Sequence, residues 1–85
     1  MLTIKKFQLP TCVECNMLDK VLDKISEKYP DINIEKIEAT SEDAAKYGIS
    51  TVPTMVFIKD GDVVKTVAHM QTIGKMEQLI AELGA

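Results

Sequence analysis

The chain has 85 residues, of which 46% are hydrophobic, and carries a net charge of −3 at pH 7. This length predicts one domain, residues 1–85, which buries about 60% of its unfolded surface and needs no disulfide framework to hold its core. Arginine is absent, and the ten lysines form no cluster with aromatic residues, which argues against a nucleic-acid partner. Because no stretch resembles a signal peptide or a membrane span, we expect a cytoplasmic protein without a membrane partner.

The first half of the chain predicts two strands with a helix between them. Residues 2–8 alternate as a strand does, and an amphipathic helix is expected from residue 12 to about residue 28. The apolar stripe of this helix comprises Met17, Leu18, Val21, Leu22, Ile25 and Tyr29. Pro30 and Asp31 stop the helix, and residues 32–39 form the second predicted strand.

The middle of the chain predicts a short helix and then a buried strand. Thr40 is the expected N-cap of this helix, and Gly48 ends it. After Val52 and Pro53, residues 54–58 are apolar on both faces. Such a run is typical of a strand in the centre of a sheet.

A β-hairpin and a final helix complete the prediction. Asp60-Gly61 is a strong turn signal that leads into a returning strand over residues 62–68. Thr72 is the expected cap of the last helix, whose apolar stripe comprises Ile73, Met76, Leu79, Ile80 and Leu83. The order β-α-β-α-β-β-α predicts an α/β fold in which a four-stranded mixed sheet carries helices on both faces, because a right-handed crossover makes the first two strands parallel.

The only two cysteines, Cys12 and Cys15, lie where the first strand gives way to the first helix. On one helical turn their Cα atoms would lie about 5–6 Å apart, which suits a disulfide. The unpaired N–H groups and the dipole of a helix N-terminus favour the reactive thiolate. A redox dithiol is the leading interpretation. An inert pair and a metal site remain open, although a zinc site would need two chains, with His69 as a further ligand.

A family resemblance rests on several of these features together. Residues 47–61, with the sequence Tyr-Gly-Ile-Ser-Thr-Val-Pro-Thr-Met-Val-Phe-Ile-Lys-Asp-Gly, are especially similar to thioredoxins. The element order and the motif Cys12-Val13-Glu14-Cys15 after the first strand fit the same family. The chain therefore resembles the thioredoxin superfamily over nearly all of its length, and its size matches the small, glutaredoxin-sized members. Glutaredoxins are the nearest alternative, but the Gly-Gly and paired acidic residues that hold glutathione are missing.

The resemblance implies a thioredoxin-like fold and a thiol–disulfide oxidoreductase that reduces protein disulfides without a metal or organic cofactor. It assigns Cys12 as the nucleophile and Cys15 as the resolving thiol, which releases the product from a mixed disulfide. Pro53 would be the cis proline of the family and would face the Cys12 sulfur. The implied substrate contacts are Thr11, Val13, Glu14, Val52 and Pro53. The implied partners are disulfide-containing proteins and a separate electron donor of the thioredoxin-reductase type, and the protein itself is expected to be a monomer.

Three positions depart from the family pattern. Thr11 stands where a tryptophan usually precedes the first cysteine, and Lys6 stands where the family has a buried acid. The glycine that commonly follows the last strand is replaced by Ala68 or His69. The missing tryptophan bears on which partner proteins dock. The missing acid leaves its family role, assisting proton movement near the second cysteine, without an evident holder, and the missing glycine would narrow the substrate groove.

Glu14 and Lys6 are possible modulators of the dithiol, and each has two interpretations. Thr11 and Glu14 fit a capping box, and the Glu14 carboxylate would also disfavour the Cys12 thiolate and so indicate a reducing protein. Lys6 is expected to extend from its strand to solvent; if buried near Cys15, it would instead stabilise a thiolate. Two other classes of function stay open, namely a non-catalytic binding module with this fold and a metal-binding or zinc-bridged protein.

Overall fold

Seven helices and strands follow one another in the computed structural model, which describes residues 1–84. They are β1 (Leu2–Gln8), α1 (Val13–Lys28), β2 (Asn33–Glu38), α2 (Glu42–Lys46), β3 (Thr54–Lys59), β4 (Asp62–Ala68) and α3 (Ile73–Glu82). The predicted order of elements is confirmed. The main difference is that β2 is shorter at both ends than residues 32–39.

The four strands form one mixed sheet in the order β2-β1-β3-β4. β1 is parallel to β2 and antiparallel to β3, and β3 and β4 form an antiparallel hairpin. The hairpin turn contains Asp60 and Gly61, whose φ angles of 51° and 89° are both positive. A turn of this kind matches the right-handed twist of the strands, which explains why an Asp-Gly pair is found there.

One face of the sheet packs against α1 and α3. The core on this face consists of Leu2, Ile4, Leu18, Val21, Leu22, Ile25, Ile32, Met55, Phe57, Met76, Leu79 and Ile80. Lys28, in the last turn of α1, donates a hydrogen bond to the Glu77 carboxylate of α3, and this bond lowers the pKa of that carboxyl. α1 and α3 are therefore joined by an apolar core and by a polar contact at its margin.

The opposite face carries a smaller core built around Phe7, Ala44 and Val56. Ala44 belongs to α2, and the Tyr47 ring after this helix lies 6.0 Å from the Phe7 ring. Helices thus cover both faces, as predicted, and β1 and β3 are buried between them. None of the helices in residues 1–84 has the length and apolar character needed to cross a bilayer.

Two of the three expected helix caps are wrong by one residue. The N-cap of α1 is Cys12, whose sulfur accepts a hydrogen bond from the Cys15 N–H at 3.1 Å, so Thr11 caps nothing and forms no capping box. The N-cap of α2 is Ser41, whose Oγ accepts from the Ala44 N–H at 3.4 Å, and not Thr40. The expected cap of α3 at Thr72 is confirmed.

Replacing Ser41 by alanine should lower the free energy of unfolding by about 1 kcal/mol, because the Ala44 N–H loses its acceptor. Thr40→Ala is the matched control, and it should change the stability by less than about 0.5 kcal/mol. Urea unfolding followed by circular dichroism measures both. A larger loss for Thr40→Ala than for Ser41→Ala would contradict the assignment of the cap.

Candidate active site

The two cysteines lie at the N-terminus of α1, just after the end of β1. Their Cα atoms are 5.2 Å apart, and their sulfur atoms form a disulfide. Cys12 is partly exposed, whereas Cys15 is only 1% exposed and belongs to the protein interior. A second molecule can therefore approach the pair only from the side of Cys12.

The backbone around Cys12 holds its sulfur at the start of the helix. The Cys12 N–H donates to the Leu9 carbonyl at 3.2 Å, and the Asn16 N–H donates to the Cys12 carbonyl at 3.2 Å. With the Cys15 N–H directed at the sulfur, this atom lies where the helix dipole is most positive. Both the hydrogen bond and the dipole favour a negative charge on the Cys12 sulfur after reduction.

A turn before β3 contributes Val52 and Pro53, and the peptide bond between them is cis. The Pro53 carbonyl accepts a hydrogen bond at 2.7 Å from the N–H of His69, which follows β4. His69 has a φ of 72°, in the left-handed region that favours glycine. His69, rather than Ala68, therefore occupies the backbone conformation in which a glycine was expected.

Val52 also lines a groove that extends from the end of β1. The groove has a volume of about 230 Å³, and its lining includes Leu9, which lies three residues before Cys12. The hydroxyl-bearing residues Thr40, Ser50 and Thr51 line the rest of it together with Ala39 and Ile49.

Glu14 contacts the segment after β4 and does not fold back onto its own helix. One of its carboxylate oxygens accepts a hydrogen bond from the Met70 N–H at 3.3 Å and lies 3.8 Å from Nδ1 of His69. Since His69 is itself bonded to Pro53, Glu14 connects the start of α1 to the turn that contains the cis peptide. The capping-box interpretation of Glu14 is wrong, because the side chain has this distant partner.

Lys6 is completely buried, which contradicts the expectation that it extends to solvent. Its Nζ donates to the Cys15 carbonyl at 2.9 Å, to Oδ1 of Asp19 at 2.5 Å and to the side chain of Gln8. The physical reason is the alternation of β1, which directs residue 6 to the same face as Leu2 and Ile4, beneath α1. The second interpretation of Lys6, burial near Cys15, is the one that holds.

Asp19 is a site residue that sequence analysis missed. It lies four residues after Cys15, and residues at this spacing share one face of a helix. A signal was therefore present, but an isolated carboxylate in an amphipathic helix is ordinarily part of the solvated face. Only the burial of Lys6 gives Asp19 a partner on the inner side.

The remaining predicted contacts, Thr11 and Val13, flank Cys12 in the chain. Thr11 is exposed, and Val13 is 72% exposed, which is unusual for an apolar side chain. Met17, one turn further along α1, is 48% exposed and extends this apolar surface. Within residues 1–84, no three side chains of the kinds that ligate metals come close enough together to hold an ion.

A disulfide that joins the first turn of a helix to its N-cap, after the first strand of this mixed sheet, defines a thiol–disulfide oxidoreductase of the α/β class. The family model described as Thioredoxin matches residues 2–82. The chain belongs to the thioredoxin family, and it is an oxidoreductase that exchanges dithiols and disulfides.

Individual relatives support the same assignment. The chain is 32% identical to the thioredoxin of Bacillus subtilis over 77 residues, which cover 87% of the chain and 74% of that protein. It is 36% identical to thioredoxin 1 of Synechococcus elongatus over 64 residues, which cover 72% of the chain but only 60% of that protein. Among solved structures, thioredoxin-2 of a malaria parasite superposes with a TM-score of 0.89 at 20% identity, covering 96% of this chain and 82% of that one. At 20% identity, this superposition supports the fold and nothing further.

In the reduced protein, Glu14→Gln should lower the pKa of the Cys12 thiol by up to about one unit, because it removes a negative charge that disfavours the thiolate. Glutamine can still accept the hydrogen bond from the Met70 N–H, so the change is one of charge. The ultraviolet absorbance of the thiolate, followed against pH, measures the effect. Glu27→Gln, on the same helix but far from the motif, is the control, and an unchanged or raised Cys12 pKa in Glu14→Gln would rule out the effect.

Proposed function

We propose that the protein reduces disulfide bonds in other proteins, with Cys12 as the attacking thiol and Cys15 as the resolving thiol. The observation that supports this division of roles is the difference in exposure, since Cys12 is partly exposed and Cys15 is buried. A thiol that must meet a foreign disulfide needs access to solvent. A thiol that attacks only its neighbour does not.

In the first step, the Cys12 thiolate attacks one sulfur of the substrate disulfide. The bond between the two substrate sulfurs breaks, one leaves as a thiolate that takes up a proton, and the other stays joined to Cys12 as a mixed disulfide. The Cys15 N–H, at 3.1 Å from the Cys12 sulfur, favours the charged form that makes this attack.

Substrate would be held as an extended segment beside the Val52-Pro53 turn. Extended peptides commonly bind by adding a strand to exposed backbone, and the family resemblance supports the Val52 backbone as the partner of such a strand. Thr11, Val13 and Glu14 would contact the same substrate from the side of α1. The exposed Val13 side chain, with no tryptophan beside it, favours apolar contacts with partner proteins.

In the second step, Cys15 attacks the Cys12 sulfur of the mixed disulfide. The reduced substrate leaves, and the Cys12–Cys15 disulfide forms. Two electrons from a separate reductase of the thioredoxin-reductase type then restore the dithiol, and no cofactor is needed in this chain. We further propose that the protein works as a monomer in the cytoplasm, where thiols are kept reduced. The carboxylate of Glu14 near Cys12 supports a reducing rather than an oxidising protein.

Replacing each cysteine by serine tests the two roles as a matched pair. Cys12→Ser should abolish the reduction of insulin by the chemically reduced protein, because no exposed nucleophile remains. Cys15→Ser should instead accumulate a mixed disulfide with the substrate, visible by mass spectrometry, because the second step is blocked. Full activity in Cys12→Ser, or trapping in Cys12→Ser and not in Cys15→Ser, would overturn the assignment.

A further inference from the structure

We propose that the buried pair of Lys6 and Asp19 sets the protonation of the Cys15 thiol and thereby the rate of the resolving step. Lys6 favours the Cys15 thiolate, and Asp19 opposes it. The proposal rests on the resolving role proposed above for Cys15. It gives a function to two residues of opposite charge that lie behind the disulfide and do not contact the substrate.

The contacts of Lys6 show that it is an ammonium group. Its three hydrogen-bond partners, Gln8, the Cys15 carbonyl and Asp19, all present acceptor oxygens to it. A lysine side chain can donate three hydrogen bonds only when it carries three protons. A full positive charge is therefore present at a position with no exposure to solvent.

This charge is close to Cys15, and both residues are buried. The ammonium is bonded to the carbonyl of the same residue whose sulfur must ionise, and that residue is 1% exposed. Burial alone would penalise a Cys15 thiolate. An adjacent positive charge offsets part of this penalty, because charges interact more strongly in the protein interior than in water.

Asp19 neutralises this positive charge only in part. Its Oδ1 lies 2.5 Å from Nζ of Lys6 and 3.5 Å from Nζ of Lys36, so that one carboxylate serves two ammonium groups. Lys36 belongs to β2, where it is the register partner of Lys6, and it also lies 3.5 Å from Asp23 of α1. On the other side of Lys6, its partner in β3 is the uncharged Met55. The charged groups behind Cys15 are therefore two lysines and two aspartates, and Lys6 alone is bonded to the Cys15 residue.

The step that this arrangement affects can be written completely. The Cys15 thiol loses its proton to water, and the thiolate attacks the Cys12 sulfur of the mixed disulfide. The bond from Cys12 to the substrate sulfur breaks, its electron pair leaves with the substrate sulfur, and that sulfur takes up a proton. Lys6 exchanges no proton in this step. It is a positioning residue that stabilises charge through its contact with Cys15.

A small aromatic disulfide that releases a coloured thiol separates the two cysteines in one experiment. The reduced protein releases a first equivalent when Cys12 attacks the reagent and a second when Cys15 resolves the mixed disulfide. Stopped-flow absorbance at a series of pH values then gives the pH midpoint of each phase. The first phase reports on Cys12, and the second reports on Cys15.

Lys6→Met should slow the second phase by roughly tenfold near neutral pH and move its midpoint to higher pH, with the first phase much less affected. Asp19→Asn should move the same midpoint in the opposite direction and speed the second phase, because it leaves Lys6 less neutralised. Lys5→Met is the matched control. Lys5 is the neighbouring lysine of β1, but its partners are Asp43 and Glu35, on the face of the sheet that carries α2.

The opposite signs separate an electrostatic role from a structural one. If the pair only held α1 against β1, both variants would disturb Cys15 in the same direction. A shift of the pH midpoint of the second phase with the same sign in both variants would therefore overturn the proposal. An unchanged second phase in both variants would also overturn it. If circular dichroism shows that Lys6→Met does not fold, the Asp19→Asn variant alone tests the proposal. A slower second phase in Asp19→Asn counts against the proposal. An unmodified protein that shows no second phase would instead contradict the resolving role of Cys15 and with it the proposed function.

Discussion

The position of β1 between β2 and β3 is the constraint on which the site depends. Both edges of this strand are hydrogen-bonded to neighbours, in parallel on one side and antiparallel on the other. Its side chains must therefore enter one of two packed faces, and its C-terminal end is fixed in the middle of the sheet. β1 ends at Gln8 and α1 begins at Val13. Cys12 therefore lies just beyond the C-terminal end of an inner strand of the sheet. The same alternation that buries Ile4 carries Lys6 beneath the first turn of α1.

Much of the fold could be predicted because it follows from regular spacing. Apolar residues at helical intervals gave α1 and α3, and the Asp60-Gly61 pair located the hairpin before any contact was known. The redox pair was equally accessible, since a Cys-x-x-Cys at a strand-to-helix junction has a direct chemical meaning. These features depend on residues that are near one another in sequence.

Two kinds of feature could not be predicted: the choice between neighbouring residues that could fill the same role, and contacts between residues far apart in sequence. At the start of α1 and of α2, two neighbouring side chains could each cap the helix, and the local sequence does not distinguish between them. The Glu14 carboxylate meets Met70, a residue from the far end of the hairpin, and no local pattern indicates that contact. Lys6 is different, because its parity with Leu2 and Ile4 was visible. The general tendency of lysine to stay hydrated pointed the other way, and its carbonyl and carboxylate partners overrode it.

The hydrogen bond from the Cys15 N–H to the Cys12 sulfur gives one atom two duties. The sulfur that caps the start of α1 is, in the proposed mechanism, also the atom that changes its covalent partner in each catalytic cycle. Its strength as an acceptor rises when it is a thiolate and falls when it is bonded to another sulfur. The order of the first turn of α1 is thus tied to the redox state, and the amide proton of Cys15 becomes a built-in reporter of it. In nuclear magnetic resonance, the chemical shift of this single proton would follow the cycle without any label on the cysteines themselves.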